Sequence, residues 1–196
     1  MAHEGVYETL AGELEPPLRL AVAYAPGAAR VLWLALLLFD HRLSRAVGGA
    51  SAPLLAQLKL AWWRDRMRTP ASQWPGGEPL LAALAPFDAE RAALEKLVDG
   101  WEGLIGDDVG TAETARLAAA RAGAVAALAR IADCPADGAA IEGLARRWTL
   151  PDGERAQGPR LPRALRPLVI LANLPRPAEA GPLALLRIVR LGLLGR

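Results

Sequence analysis

The chain has 196 residues, a length that predicts one domain with a buried core, and 53% of its residues are apolar. Alanine and leucine dominate this apolar fraction, whereas the β-branched and aromatic residues that favour strands are scarce. The formal net charge of +2 is too small to predict a nucleic-acid partner, and a single cysteine, Cys134, excludes an internal disulfide framework. These features predict one all-α domain over residues 1–196 in a reducing compartment.

Helices are predicted along the whole chain from apolar runs that proline and glycine separate. No segment alternates apolar and polar residues for long enough to predict a strand. Asp88 precedes a charged first turn and is predicted to be an N-cap, and Thr111 is predicted to start the next helix. Residues 152–160 are predicted to form a loop. The predicted helices cover residues 7–14, 17–24, 28–47, 53–67, 78–85, 88–104, 111–132, 138–147, 162–172 and 182–194.

Two segments bear on the location of the protein in the cell. Residues 1–17 are acidic and end in two prolines, unlike a secretory signal, and residues 28–39 are too short an apolar run to span a bilayer. We therefore expect a buried core helix at 28–39 and a cytoplasmic protein. The first 140 residues are net acidic and the remainder is net basic, so peripheral contact with the inner face of the membrane is a further expectation. Its predicted contacts are Arg187, Arg190 and Arg196; ordinary solvated arginines are the alternative.

Residues 54–68, which read LLAQLKLAWWRDRMR, form the most distinctive segment of the chain. Its second half is crowded with lysine and arginine. A Trp-Trp pair followed by Arg-Asp is an uncommon string, and it points to a family more specifically than any catalytic motif. Apolar side chains share one face of a helix with a period of about 3.6 residues, and they are Leu54, Leu55, Leu58, Ala61 and Trp62.

This string resembles a segment of the squalene/phytoene synthases, whose members often carry L-Q-W-W-R-D after a helix reading A-L-x-x-F-(D/N)-x-x-L. The chain has LALLLFDHRL at residues 34–43 and LKLAWWRDRM at residues 58–67. Later helices of the family are resembled by LEKLVDGWEGL at 94–104, RAGAVAAL at 121–128 and LPRALRPLVIL at 161–171. The resemblance implies an isoprenoid-synthase-like helical bundle around an apolar cavity, truncated relative to squalene/phytoene synthases.

Squalene/phytoene synthases join two prenyl diphosphates head to head, and the resemblance implies two aspartate-rich helices that hold Mg²⁺ against phosphate oxygens. The positions matching the aspartates of the first of these helices hold Ser44, Arg45 and Gly48. Asp40 is acidic but has arginines nearby, which favours a structural salt bridge. Pro135 interrupts residues 133–137, which are predicted to form a turn instead of the second pair. The resemblance therefore implies a divergent member without the aspartate-rich motifs, for which we expect no metal site and no cofactor.

One face of the helix predicted at residues 88–104 is acidic, because it carries Glu95, Asp99 and Glu102. Arg91 and Lys96 are close in sequence, so a solvated face with local partners is the favoured interpretation. A Mg²⁺ site is the alternative, and its residues are the weak catalytic candidates Asp40, Asp99 and Glu102. Asp107 and Asp108 are predicted to lie in a loop at the helix end.

Three functions stay open on this basis. The first is a non-catalytic squalene/phytoene synthase-like protein that binds an isoprenoid, a lipid or a protein partner; divergent family members without the aspartates include assembly factors of respiratory complex I. The second is a prenyltransferase that condenses two prenyl diphosphates, and only this function needs Mg²⁺. The third is a plain helical interaction domain. The predicted binding residues are Arg42, Arg45, Trp62, Trp63, Arg64 and Arg66.

Overall fold

The computed structural model describes residues 2–49, 52–106, 109–150 and 161–174, with side chains from residue 8 onward. These residues form α-helices joined by turns and short 3₁₀ segments, with no strand among them, which confirms the all-α prediction. The predicted helix at 182–194, the predicted loop at 152–160 and the aspartates at 107 and 108 lie outside the described residues. The helices are α1 (Ala2–Glu13), α2 (Pro16–Ala23), α3 (Gly27–Gly48), α4 (Pro53–Arg68), α5 (Pro79–Leu84), α6 (Arg91–Glu102), α7 (Thr111–Ile131), α8 (Gly138–Thr149) and α9 (Arg166–Leu171).

Helix α3 is the centre of the fold because its middle section is buried on every side. Residues 32–40 are buried one after another, so no side of this stretch faces water. A helical stretch without an exposed face has to be surrounded by other elements, and α3 contacts α1, α2, α4, α5, α6 and α7. The indole Nε1 of Trp33 donates a hydrogen bond of 2.7 Å to the carbonyl of Ala164, just ahead of α9. The prediction of a core helix in this region is confirmed.

The outer helices contact one another in the order α2, α9, α8, α7, α6 and α4. Helices α6 and α7 approach each other closely at Gly100. A Cβ atom added to Gly100 would come within 3.2 Å of both the Cα of Leu117 and the Cβ of Ala120. Glycine at this position therefore allows α6 to lie against the backbone of α7.

The start of α6 differs from the prediction. Asp88 does not cap this helix, since it lies in a 3₁₀ segment, Ala85–Glu90, and α6 begins at Arg91. Its carboxylate accepts a hydrogen bond of 2.7 Å from the backbone N–H of Ala71 and also binds the guanidinium of Arg91. The side chain is thus used by a distant turn, which local sequence does not reveal.

Two other predicted boundaries are confirmed. Helix α7 starts at Thr111, and the Glu113 carboxylate accepts a hydrogen bond of 3.1 Å from the backbone N–H of Gly110. The segment around Pro135 is a turn, with Asp133 in the left-handed region at a φ of 46°. Asp137 then caps α8 by accepting a hydrogen bond of 3.1 Å from the N–H of Ala139.

Helix α4 packs against the core through a face other than the leucine-rich one. The buried residues are Ala56, Leu60, Trp63 and Met67, which recur every three or four positions. The leucine-rich face noted in the sequence points outward instead: the exposed fractions are 64% for Leu54, 46% for Leu55, 59% for Leu58 and 40% for Trp62. We call these four residues the α4 stripe.

Within the described ranges, none of the helices has the length and apolar character required to cross a bilayer.

Two glycine substitutions test the close approach of α6 and α7. Gly123 lies inside α7 with open space around it, so Gly123→Ala should raise the free energy of unfolding by up to about 1 kcal/mol through helix propensity. Gly100→Ala should lower it, because the new methyl group meets backbone and Cβ atoms that no side-chain rotation can move. Urea unfolding of both variants measures the difference. An equal gain at both positions would contradict the tight packing.

Candidate functional site

Asp40 lies in a buried polar cluster and not in an open cavity. Its carboxylate accepts two hydrogen bonds from the guanidinium of Arg121, with Nε–Oδ1 at 3.1 Å and Nη2–Oδ2 at 2.8 Å. A third hydrogen bond of 2.8 Å comes from the indole Nε1 of Trp101. The side chains of Asp40 and Arg121 are only 8% and 11% exposed. Asp40 therefore forms a salt bridge, as the sequence suggested, but with a residue of α7 and not with its sequence neighbours.

Two aromatic rings lie close to the guanidinium of Arg121. Its guanidinium carbon lies 4.2 Å from the ring centre of Trp148 and 5.2 Å from that of Trp101. Its Nη1 donates a hydrogen bond of 3.2 Å to the hydroxyl of Thr149, and that hydroxyl donates to the carbonyl of Ala145 at 2.8 Å. We call Asp40, Trp101, Arg121, Trp148 and Thr149 the buried polar cluster. It joins α3, α6, α7 and α8.

The other two catalytic candidates lie against arginine on the neighbouring helix. Arg64 of α4 donates from Nε to Asp99 at 2.8 Å and from Nη2 to Glu102 at 2.5 Å. Burial acts to lower the pKa of Arg64, but the hydrogen bonds to Glu102 and Asp99 outweigh it and the pKa is raised above its usual value. Arg68 binds Glu95 at 2.7 Å in the same way. The acidic face of α6 is thus neutralised by α4.

The prediction that Arg91 and Lys96 are the partners of this acidic face is wrong. Arg91 binds Asp88 at the preceding 3₁₀ segment, and the cations that meet the face are the two arginines of α4. The helical period explains the pairing, because the acidic face and the arginines lie on the surfaces where α4 and α6 pack.

A groove of about 840 Å³ lies between the second half of α3 and the helix α4. Its aromatic wall is held in place by edge-to-face packing. The ring of Trp63 lies 5.2 Å from that of buried Phe39 and 4.8 Å from that of Trp62. We call this cavity the α3/α4 groove. Its lining residues are Glu13, His41, Arg42, Arg45, Ala46, Gly49, Lys59, Trp62 and Trp63.

The α3/α4 groove has a net positive charge. Its carboxylate, Glu13, is bound by Arg42 through two hydrogen bonds of 2.9 and 3.1 Å. Arg42 also donates to Glu78 at 2.8 Å; burial acts to lower its pKa, but these bonds outweigh it and raise the pKa. Arg45 and Lys59 are exposed and form no ion pair with any residue in the described ranges. Their charges are therefore available to an anion.

The predicted binding residues separate into two groups. Arg42, Arg45, Trp62 and Trp63 line the groove, but Arg64 and Arg66 do not. Arg64 is taken up by α6, and the guanidinium of Arg66 lies 5.8 Å from the ring centre of Trp62. Sequence reasoning missed His41 and Lys59 as groove residues. The available signal was spacing, because His41 precedes Arg45 by one helical turn and Lys59 precedes Trp63 by one turn.

The arrangement suits an anion that carries an apolar chain. Arginine and lysine bind phosphate oxygens through charge-assisted hydrogen bonds, and indole rings pack against hydrocarbon. Metal chemistry has less support from the donor set. Among the described residues, no three His, Cys, Asp or Glu side chains lie close enough together to hold a metal ion.

Arg121→Met tests the buried polar cluster. The substitution leaves the Asp40 carboxylate buried without its counter-ion, so the free energy of unfolding should fall by about 3–5 kcal/mol. Adding Asp40→Asn should recover part of this loss, because an amide is neutral and its oxygen still accepts from Trp101. Arg116→Met, in the exposed part of the same helix, is the control and should change stability by less than about 1 kcal/mol. Urea unfolding decides, and a double variant no more stable than Arg121→Met would refute the ion-pair role.

Comparison with known proteins does not identify the family of this chain. No family model, curated protein or solved structure matches it. The squalene/phytoene synthase resemblance therefore stays a prediction.

Proposed function

We propose that this protein is a non-catalytic squalene/phytoene synthase-like protein that binds an isoprenoid or lipid with an anionic head. The head would lie in the α3/α4 groove between Arg45 and Lys59, and the apolar chain would pack along Trp62 and Trp63. The observation that carries the proposal is the pairing of charges around this groove. The nearby carboxylates are bound by arginines, while two cations in the groove have no partner in the described part of the chain.

The size and chemistry of the groove support a small amphiphilic ligand. Its volume of about 840 Å³ falls within the range of small-molecule sites, which extends from about 300 to 1,000 Å³. The pair of indole rings forms an apolar wall whose geometry is fixed by Phe39 beneath it. The apolar element of recognition is therefore prearranged, which lowers the entropic cost of binding.

A prenyltransferase is the alternative, and the contacts of its three candidate carboxylates count against it. Mg²⁺ would need Asp40, Asp99 and Glu102 around one cavity. Asp40 is instead covered by Arg121 and Trp101, and the other two are bound by Arg64. None of the three lines the α3/α4 groove. A metal ion would first have to displace an arginine from each carboxylate, so the donor set does not fit Mg²⁺ as it is arranged.

Titration with farnesyl and geranylgeranyl diphosphate, with and without Mg²⁺, tests the proposal when pyrophosphate release is followed in the same tube. We expect binding without Mg²⁺ and no release. The double variant Arg45→Gln/Lys59→Gln should raise Kd by at least about tenfold, because the loss of even one charge-assisted hydrogen bond costs about 1.5–3 kcal/mol of binding free energy. Lys96→Gln removes an exposed cation from α6, away from the groove, and should leave Kd unchanged.

Each other outcome points to a different function. Mg²⁺-dependent binding with release of pyrophosphate would establish the prenyltransferase and refute the proposal. No binding of either diphosphate would also refute it, and would favour a protein partner or a plain helical interaction domain. Binding that is equally weakened by Lys96→Gln would indicate non-specific attraction to positive charge and not a site.

A further inference from the structure

The α4 stripe is a second surface whose exposure the groove does not explain. Leu54, Leu55 and Leu58 line no part of the α3/α4 groove, and each has about half or more of its area exposed. Trp62 borders both surfaces. Exposed apolar residues scattered singly need no explanation, but here they follow one another along one face of one helix. This pattern is typical of a helix that has a partner.

The charges beside the α4 stripe differ on its two sides. On the side of α3 stand Arg45, Lys59 and Arg66, and none of them is paired with a carboxylate in the described residues. On the side of α6 the arginines are neutralised by Asp99, Glu102 and Glu95. Asp65, near the C-terminal end of the stripe, is the opposing charge on the helix itself. The surface as a whole is apolar with a cationic margin.

This charge pattern favours an anionic partner. A second copy of the chain would bring the same cations towards one another across the contact. The sequence beyond residue 174 would also bring positive charges towards these cations, because Arg187, Arg190 and Arg196 make it basic. Like charges brought together cost free energy, whereas an anionic surface attracts both α4 and this basic sequence.

We infer that α4 docks the protein on the surface of an anionic lipid bilayer. Leucine side chains of the α4 stripe would enter the boundary between headgroups and acyl chains, with Trp62 at headgroup level. Lysine and arginine at the margin would reach the lipid phosphates, since their long apolar stems lie along the bilayer while their charges stay in water. The membrane contact expected from the sequence would thus have α4 as its apolar element, beyond the basic C-terminal residues.

The test is sedimentation of the full chain with vesicles. One set contains phosphatidylcholine alone, and the other contains an equal mixture of phosphatidylcholine and phosphatidylglycerol. We expect partition onto the mixed vesicles that weakens with added salt. Leu54→Gln/Leu58→Gln should reduce this partition by about tenfold or more, because these two side chains are the most exposed of the α4 stripe and would lose their apolar contact with the bilayer. Both residues are exposed in the free protein, so the fold should be unaffected.

Val31→Gln/Val109→Gln is the matched control. It also replaces two exposed apolar residues, 46% and 45% exposed, on other parts of the surface, and it should bind vesicles as the unaltered protein does. Equal partition of the Leu54→Gln/Leu58→Gln variant and the unaltered protein would overturn the inference and place the contact elsewhere. Failure of the unaltered protein to bind the mixed vesicles would overturn it too. If the protein forms a dimer in solution and Leu54→Gln/Leu58→Gln abolishes it, the partner of the α4 stripe is a second copy of the chain and not a bilayer.

The result is separable from the proposed function. Since neither Leu54 nor Leu58 lines the groove, Leu54→Gln/Leu58→Gln should bind farnesyl diphosphate with the Kd of the unaltered protein. Loss of vesicle binding with retained diphosphate binding supports the docking face. Vesicle binding without any diphosphate binding would leave the docking face standing while the groove proposal fails.

Discussion

The ion pair between Asp40 and Arg121 is the constraint on which the arrangement of the site depends. It lies inside an otherwise apolar interior, where an unpaired charge would cost several kcal/mol. Each oxygen of the carboxylate and each nitrogen of the guanidinium forms a hydrogen bond, with Trp101 and Thr149 as well as within the pair. Because these groups come from four helices, their hydrogen bonds fix the orientation of α3 about its own axis relative to α6, α7 and α8. The same orientation places His41 and Arg45 on the side of α3 that faces α4.

A second consequence concerns the distribution of charge. Helix α4 carries more cations than the neighbouring acidic face of α6 can neutralise. Arg64 and Arg68 are consumed by that face, whereas Lys59 is left at the groove with Arg45 of α3. The residual positive charge is therefore local, although the net charge of the whole chain is only +2. An anionic ligand or surface would meet its complement here and not over the protein as a whole.

Three sides of helix α4 therefore have different surroundings: the core, the α3/α4 groove and solvent. Trp63 packs inward on Phe39, Trp62 forms the edge of the groove, and the leucines of the α4 stripe face solvent. The proposed ligand site and the proposed membrane face thus share Trp62. If both proposals hold, an amphiphile in the groove would lie beside the bilayer, so the two are physically compatible while each has its own test.

Local sequence was sufficient to predict where the helices lie, because apolar runs, prolines and glycines determine the backbone conformation over a few residues. It predicted the core helix, the start of α7 and the turn at Pro135. Of the binding residues that it predicted, Arg42, Arg45, Trp62 and Trp63 line the α3/α4 groove. It did not pair Asp40 with Arg121, which are 81 residues apart, or α4 with the acidic face of α6. It also left open which face of α4 would be buried. Both faces are apolar by composition, and only the packing of α4 against α3 and α6 decides which one meets the core and which one is left for a partner.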